Sequence, residues 1–324
     1  MLLTGASGFV GSHILDSLQQ NQIQTVVLLR STTTNSFLQP HLSQIEVRRG
    51  SVTDPSSLIQ ATAGVTHVVH CAGLTKALKA AEFFEVNQGG TRNVVEALNA
   101  QGARIERLLH ISSLAVSGPA TPANPATEEA SPCPVSTYGK SKLAGELEVR
   151  ERCRVPFTIL RPPAVYGPRD TGFLSLFKAV RKHVLPRPNQ QQVLSVVYSR
   201  DLADSVVKCL SHPKTAGKTY FVASPQTVTS RGMAEEIAVQ MKRWTIPCPI
   251  PAPVLWAVCL LQQGISQLTR RPSLLNLQKY AELRAAGWVC DASRFLLETG
   301  FECQTRLKQG IGETLDWYTR QGWL

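Results

Sequence analysis

Tyr138 and Lys142 stand four residues apart in Tyr138-Gly-Lys-Ser-Lys142, the spacing that puts two side chains on one helix face. A free phenol holds its proton to about pH 10, so a lone tyrosine is no base near neutrality. An ammonium one turn away favours the phenolate and lowers that pKa. The pair can then pass a proton to or from a substrate oxygen. Upstream, Leu108-Leu-His-Ile-Ser112-Ser113 ends an apolar run in two hydroxyls. A strand-end serine can orient a substrate oxygen toward Tyr138, or it can cap the next turn. At the start of the chain, Thr4-Gly5-Ala6-Ser7-Gly8-Phe9-Val10-Gly11 carries glycines three apart between an apolar stretch and a helical pattern. A strand that turns through glycines into a helix aims N–H groups and the positive helix end at one place, which suits a pyrophosphate. A glycine triplet alone is often only a surface turn.

The elements that would position these residues alternate regularly through the first half. Strands are predicted at residues 23–29, 45–48, 65–70, 108–112 and 157–160, and amphipathic helices at 82–99 and 137–152. Strands separated by helices imply a parallel sheet covered on both faces, with ligands beyond the carboxyl ends of its strands. From Pro162 the pattern is irregular. Residues 119–134 read as a proline-studded loop of the kind that lids a site. Pro247-Cys-Pro-Ile-Pro-Ala-Pro253 reads as a rigid spacer, and the apolar residues 254–265 before Arg270-Arg271 as a core-facing or lid helix. A membrane-surface role for that helix is the lesser reading.

The chain has 324 residues, enough for a large α/β domain and a smaller lobe. Its eight cysteines include no Cys-x-x-Cys pair, which argues against a zinc site or a disulfide framework and fits a reducing cytoplasm. The glycine turn opens the sequence, so no secretory leader is expected, and the short first strand suggests that the native start lies upstream. No apolar run reaches membrane-spanning length. The net charge of +11 sits mostly in residues 171–324, which carry +9, against +2 in residues 1–170. A basic C-terminal half can attract an anionic substrate or a membrane surface, or it can simply be a soluble basic face. Nucleic acid is not expected, because no basic run is interleaved with aromatics.

Taken together, the motifs resemble those of the extended (atypical) short-chain dehydrogenase/reductases, grouped as NAD-dependent epimerases/dehydratases. The matching residues are Thr4–Gly11, His67-Val-Val-His-Cys-Ala72-Gly73, Val86-Asn-Gln-Gly-Gly-Thr-Arg-Asn93, Ile111-Ser-Ser113, Tyr138–Lys142, Arg161-Pro-Pro-Ala-Val-Tyr-Gly-Pro168 and Asp201-Leu-Ala203. The resemblance implies an α/β fold: a Rossmann-type doubly wound parallel sheet from residues 1–167 and 200–224. Residues 168–199 and 225–324 would form a smaller, discontinuous C-terminal substrate lobe. It makes Tyr138 the acid/base, Lys142 its pKa modulator and ribose ligand, and Ser113, five before Gly118, the oxygen-binding hydroxyl. Gly5, Ser7, Gly8, Phe9, Val10 and Gly11 would line the pyrophosphate, with Ala72 and Gly73 beside the adenosine ribose. Ser51, Val52, Pro163 and Val165 complete the expected cofactor contacts. A homodimer through the helices beginning near Glu82 and Thr137 is also implied.

Two departures from the family pattern carry information. The second strand ends Leu29-Arg30, with no Asp or Glu between Asp16 and Glu46, so a guanidinium stands where NAD users hold the ribose hydroxyl. That predicts NADP(H) over NAD(H). Ser51 replaces the family's adenine-binding acid, and a serine accepts more weakly than a carboxylate. Nucleotide-sugar members carry asparagine where this chain has Ala164, and the segment Pro188-Asn-Gln-Gln-Gln-Val193 lacks their Gly-Asp-Gly pattern. The expected activity is hydride transfer between a secondary alcohol and a ketone on a small, moderately apolar substrate. The basic cluster Lys178, Arg181, Lys182, His183 and Arg187 keeps an anionic substrate in view. A nucleotide-sugar epimerase or dehydratase that recycles its cofactor, and a non-catalytic NADP-binding protein, are the alternatives.

Overall fold

Short apolar runs set the central sheet. The computed structural model describes residues 1–32, 36–188, 192–270, 273 and 277–324; Asn189–Gln191 and Arg271, weighed above, lie outside the described residues. Leu2–Thr4 (β1), Val26–Leu29 (β2) and Arg107–Ile111 (β5) are buried end to end, as strands covered on both faces must be. Glu46–Arg49 (β3), His67–His70 (β4), Phe157–Arg161 (β6) and the strand Lys218–Phe221 complete seven strands. All pair in parallel, in the order Lys218–Phe221, β6, β5, β4, β1, β2, β3. β3 is the charged, half-exposed edge. The chain runs outward from β1 to β3 and then returns to β4 on the other side of β1. The order therefore reverses between β1 and β4, where open sheets of this kind leave a crevice.

Helices Phe9–Gln20 (α1), Pro55–Ala61 (α2), Ala80–Phe84 (α3), Gly90–Gln101 (α4) and Thr137–Arg152 (α5) join these strands. The helix predicted over 82–99 runs from Ala80 to Gln101 through a π-turn at Glu85–Gly89, within which Asn87 bonds the loop after β4. α5 starts on Ser136, whose hydroxyl accepts from Gly139 N at 3.1 Å, and ends with Arg150 and Arg152 in its last turn.

Beyond β6 come Leu174–Arg181 (α6), Ser199–Ser211 (α7) and Ser230–Gln240 (α8), and α7 packs back on α1, where Ser17 Oγ donates to Asp204 at 2.6 Å. A separate core forms around Phe177, Val180, Tyr198, Met233, Ile237 and Tyr318. The proline-rich stretch is not an isolated spacer. Ile246–Ile250 is a strand paired in parallel with Val184–Pro188, in a two-stranded ribbon where the missing proline N–H groups cost little. Residues 119–134 are pinned by backbone bonds from Ala120 and Ala126 to the segment 287–291. Of the two readings of the helix at 254–265, core-facing or lid, the core-facing one fails. Ala252–Thr269 (α9) buries only Cys259 and Ser266, and leaves Val254, Trp256, Leu260, Leu261 and Ile265 exposed.

Candidate active site

Because every strand of the sheet runs the same way, the ends of β1 to β6 place Gly5, Arg30, Ser51, Ala72–Gly73, Ser112–Ser113 and Pro163 along one edge. Gly5 has φ +76°, and a Cβ on it would come within 2.7 Å of Ala72 N. A Cβ on Gly11 would overlap the Gly5 carbonyl, so helix and turn can approach this closely only through glycine. Gly8 caps α1 with no side-chain bond, which leaves the first N–H groups of the helix facing outward beside Ser7, Phe9 and Val10. This cradle fits a pyrophosphate. Thr4 ties it to β4: its hydroxyl accepts from Ala72 N at 3.1 Å and meets His70 Nδ1 at 2.9 Å.

Next along the edge, Arg30 is exposed at the end of β2, and Arg49, at the end of β3, donates to the Arg30 carbonyl at 3.3 Å. Sequence reasoning missed Arg49. The parallel register Leu29↔Arg49 is what brings the two cations together. Ser51, by contrast, is spent locally. Its hydroxyl bonds Thr53 Oγ1 at 2.8 Å and accepts from Thr53 N at 3.2 Å, while Val52 O holds Asn93 at 2.9 Å. Pro163 is buried, and Val165 lies in the strand Ala164–Tyr166 that pairs with Val196–Tyr198.

Ser113, Tyr138 and Lys142 converge at the end of β5. The Ser113 hydroxyl lies beside the Tyr138 phenol, where it favours the phenolate, and Ser113 also caps the turn at Leu114–Val116, accepting from Ala115 N at 3.2 Å. Ser112 is committed elsewhere, donating to Glu146 at 2.5 Å. Lys142 is buried and donates to Ile111 O at 2.7 Å, with the backbone of Gly73 close by. Its burial pulls the ammonium pKa down to about 8. The spacing predicts a lowered phenol, yet in the folded chain burial outweighs the Ser113 bond and pushes Tyr138 up to about 12. The phenol, protonated at neutral pH even at its ordinary pKa, stays so well into the alkaline range.

Several supporting residues carried no role in the sequence reading. Asn87 accepts from Leu74 N at 2.8 Å and donates to Leu74 O and Ser141 Oγ, clamping the loop after β4 to α5. Arg161 makes two bonds, at 2.8 and 2.6 Å, with the fully buried Glu146 beneath the site. Glu282, far along the chain, lies close enough for its charge to oppose ionisation of Tyr138. The basic cluster sits apart from this edge: His183 stacks on Trp244 at 4.0 Å, and Arg181 shares a depression with Lys242 and Arg243. A second depression holds Asp16, Arg169, Arg200 and Glu313, which pair within it, Asp16–Arg169 at 2.8 Å and Arg200–Glu313 at 2.9 Å, beside Asp316 and Arg320.

Residues 1–223 match the NAD dependent epimerase/dehydratase family. The ceramide reductase of Caulobacter vibrioides is 32% identical over 99% of this chain and 95% of its own length. The UDP-glucose 4-epimerase of Vibrio cholerae is 30% identical over 77% of this chain and 79% of its own. Among solved structures, the Bordetella bronchiseptica enzyme WbmG in complex with NAD and UDP superposes with a TM-score of 0.80 at 22% identity, covering 99% of this chain and 95% of that one. With the glycine cradle and the Ser–Tyr–Lys cluster on one sheet edge, the chain belongs to the NAD dependent epimerase/dehydratase family and is an NAD(P)-dependent enzyme.

Proposed function

We propose that this chain reduces a ketone on an amphiphilic small molecule to a secondary alcohol, using NADPH. The observation that carries the reading is the convergence of Ser113, Tyr138 and Lys142 at the carboxyl end of β5, where the Tyr138 phenol, protonated at neutral pH, can donate to a carbonyl oxygen. Ser113 and Tyr138 receive the carbonyl oxygen, and Tyr138 releases its proton as that oxygen gains negative charge. Bound NADPH supplies the hydride. Lys142, one turn away and in its charged form below about pH 8, stabilises the phenolate left behind and faces the ribose position beside Gly73. Residues 168–199 and 225–324 form the lobe that takes the substrate. The 32% identity to a ceramide reductase over nearly the whole chain supports a lipid-class ketone, and Ala164 argues against a sugar nucleotide.

Arg30 and Arg49 favour a 2′-phosphate, which each guanidinium can bind through paired N–H groups. Arg30→Ala is expected to raise the KM for NADPH about tenfold or more and to leave that for NADH nearly unchanged, given the value of a charged hydrogen bond. Unchanged NADPH affinity refutes the preference. The half-exposed Leu147 on α5 and Val135 just before it support a homodimer through the helices beginning near Glu82 and Thr137. The eight free thiols fit a cytoplasmic setting.

The test is NADPH oxidation by purified protein with ketones graded from short and soluble to long-chain, including a ceramide oxidised at one hydroxyl. Turnover that rises with chain length is expected. The identity to a UDP-glucose 4-epimerase supports a second reading. Interconversion of UDP-glucose and UDP-galactose without net NADPH use would replace the first reading by this one.

A further inference from the structure

Helix α9 is built inside out. None of its eighteen residues is charged, and the residues turned toward the protein include Gln262, Gln263 and Ser266. Gln263 Oε1 accepts from Leu277 N at 3.2 Å, and Gln262 meets Ser273 Oγ at 3.5 Å. The outward face carries Val254, Trp256, Leu260, Leu261, Ile265 and Leu268, with Leu261 at 65% and Leu268 at 86% exposure. An amphipathic helix of a free-standing soluble protein turns the other way. The apolar surface continues past the N-terminus of α9. The strand Ile246–Ile250 ends one residue before Pro251, the cap of α9, and Trp244 and Ile246 beside it are 67% and 61% exposed.

Charge identifies what covers this surface. Residues 171–200 and 237–281, which contribute the ribbon and α9, contain no Asp or Glu. Around the ribbon and the ends of the helix they expose Lys178, Arg181, Lys182, Lys242, Arg243 and Arg270. Asp316 is the acidic residue that shares the depression of Arg181, Lys242 and Arg243. A second copy docked face to face would set cation against cation, since a two-fold interface brings a patch onto itself. Apolar side chains rimmed by cations, with two tryptophans among them, complement instead the acyl and headgroup layers of an anionic bilayer. The helix is about 27 Å long, and no helix among the described residues is long and apolar enough to cross a membrane.

We propose that α9 and the ribbon Val184–Pro188/Ile246–Ile250 form a docking surface that lies in the interface of an anionic lipid bilayer. The placement also bears on the substrate. The helix Leu277–Leu283 packs on α9 and carries Glu282, whose charge reaches Tyr138, so the docked face adjoins the substrate side of the site. An amphiphilic ketone can then enter with its tail still in the membrane. That last step rests on the reductase reading above; the docking itself does not.

The experiment is flotation of the full chain with phosphatidylcholine vesicles, with and without phosphatidylglycerol, at low and high salt. Wild-type protein is expected to float with the anionic vesicles and to be released by salt. Leu261→Glu with Leu268→Glu, both at exposed positions, should cut vesicle binding by about a hundredfold, because two buried leucines are lost and two like charges added. Turnover of a short, soluble ketone in the absence of vesicles reports that the variant is folded, and is read separately from flotation. Wild-type protein that stays with the soluble fraction overturns the proposal. So does a double variant that floats equally well, or one whose sole change is a smaller assembly in sedimentation.

Discussion

Helices α5 and α9 invert each other. α5 is rich in charge yet buries Lys142, Glu146 and Glu148, whereas α9 has no charge and presents its apolar residues to the outside. Burying charge is costly unless each group is paired or hydrogen-bonded, and in α5 the two glutamates are paired while Lys142 is hydrogen-bonded. Glu146 holds Arg161 and Ser112, Glu148 holds Arg92 at 2.7 Å and Arg152 at 3.0 Å, and Lys142 is seated on Ile111 O. The chain thus completes α5 with its own partners, and a cation and a phenol sit ready in a place largely shielded from water. α9 lacks such partners. Composition alone would assign the two helices the opposite positions, and the difference teaches that burial follows the partner available.

If α5 is the working helix, the largest effect should fall on Tyr138. Tyr138→Phe removes the proton donor and keeps the ring packed against Phe83, so turnover should drop about 10²–10⁴-fold with NADPH binding retained. Undiminished turnover would take α5 out of the chemistry. The pairing beneath the site is tested next. Glu146→Ala strands the Arg161 guanidinium in the core and should lower unfolding stability by about 3–5 kcal/mol in denaturant titration. A loss below 1 kcal/mol would mean that the buried network does not hold the helix in place.

How much of this was legible in the sequence differs between the two helices for the same physical reason. α5 was predicted over 137–152 and spans Thr137–Arg152, because its helical pattern and the Tyr138–Lys142 spacing are local signals. The edge position of Gly5, Arg30, Ala72 and Ser113 followed from strand–helix alternation, since a parallel sheet turns every strand end to one side. What escaped depends on distant partners: Arg49 on register with β2, Glu282 on the path of the chain, and Asn87 on its bonds to the loop after β4. The apolar run of α9 announced a helix, but periodicity does not say what an apolar face meets. Alternate prolines hid the strand Ile246–Ile250.

A milder test of α5 uses pH. Burial lowers the Lys142 pKa to about 8, so its ammonium is charged below that pH and lost above it. With Tyr138 protonated up to about 12, kcat/KM should be level from neutrality to pH 8 and then fall about tenfold per unit. A fall that begins only near pH 10 would assign no part to the Lys142 charge. Lys142→Met should remove the limb near pH 8 and lower the plateau.

The smallest expected effect separates the helices most sharply. Leu109 in β5 is fully buried beneath the site, and Leu109→Ala should cost about 2–5 kcal/mol of stability. Leu268 in α9 is a residue of the same type at 86% exposure, and Leu268→Ser in the free chain should stay within about 0.5 kcal/mol of wild type. A membrane-facing leucine has nothing to lose until lipid is present, so the same variant should then show its defect in vesicle binding alone. If Leu268→Ser instead costs more than 1 kcal/mol in solution, α9 already has a protein partner. A loss that fades on dilution identifies that partner as a second copy, and one that persists identifies a closure of α9 onto its own chain.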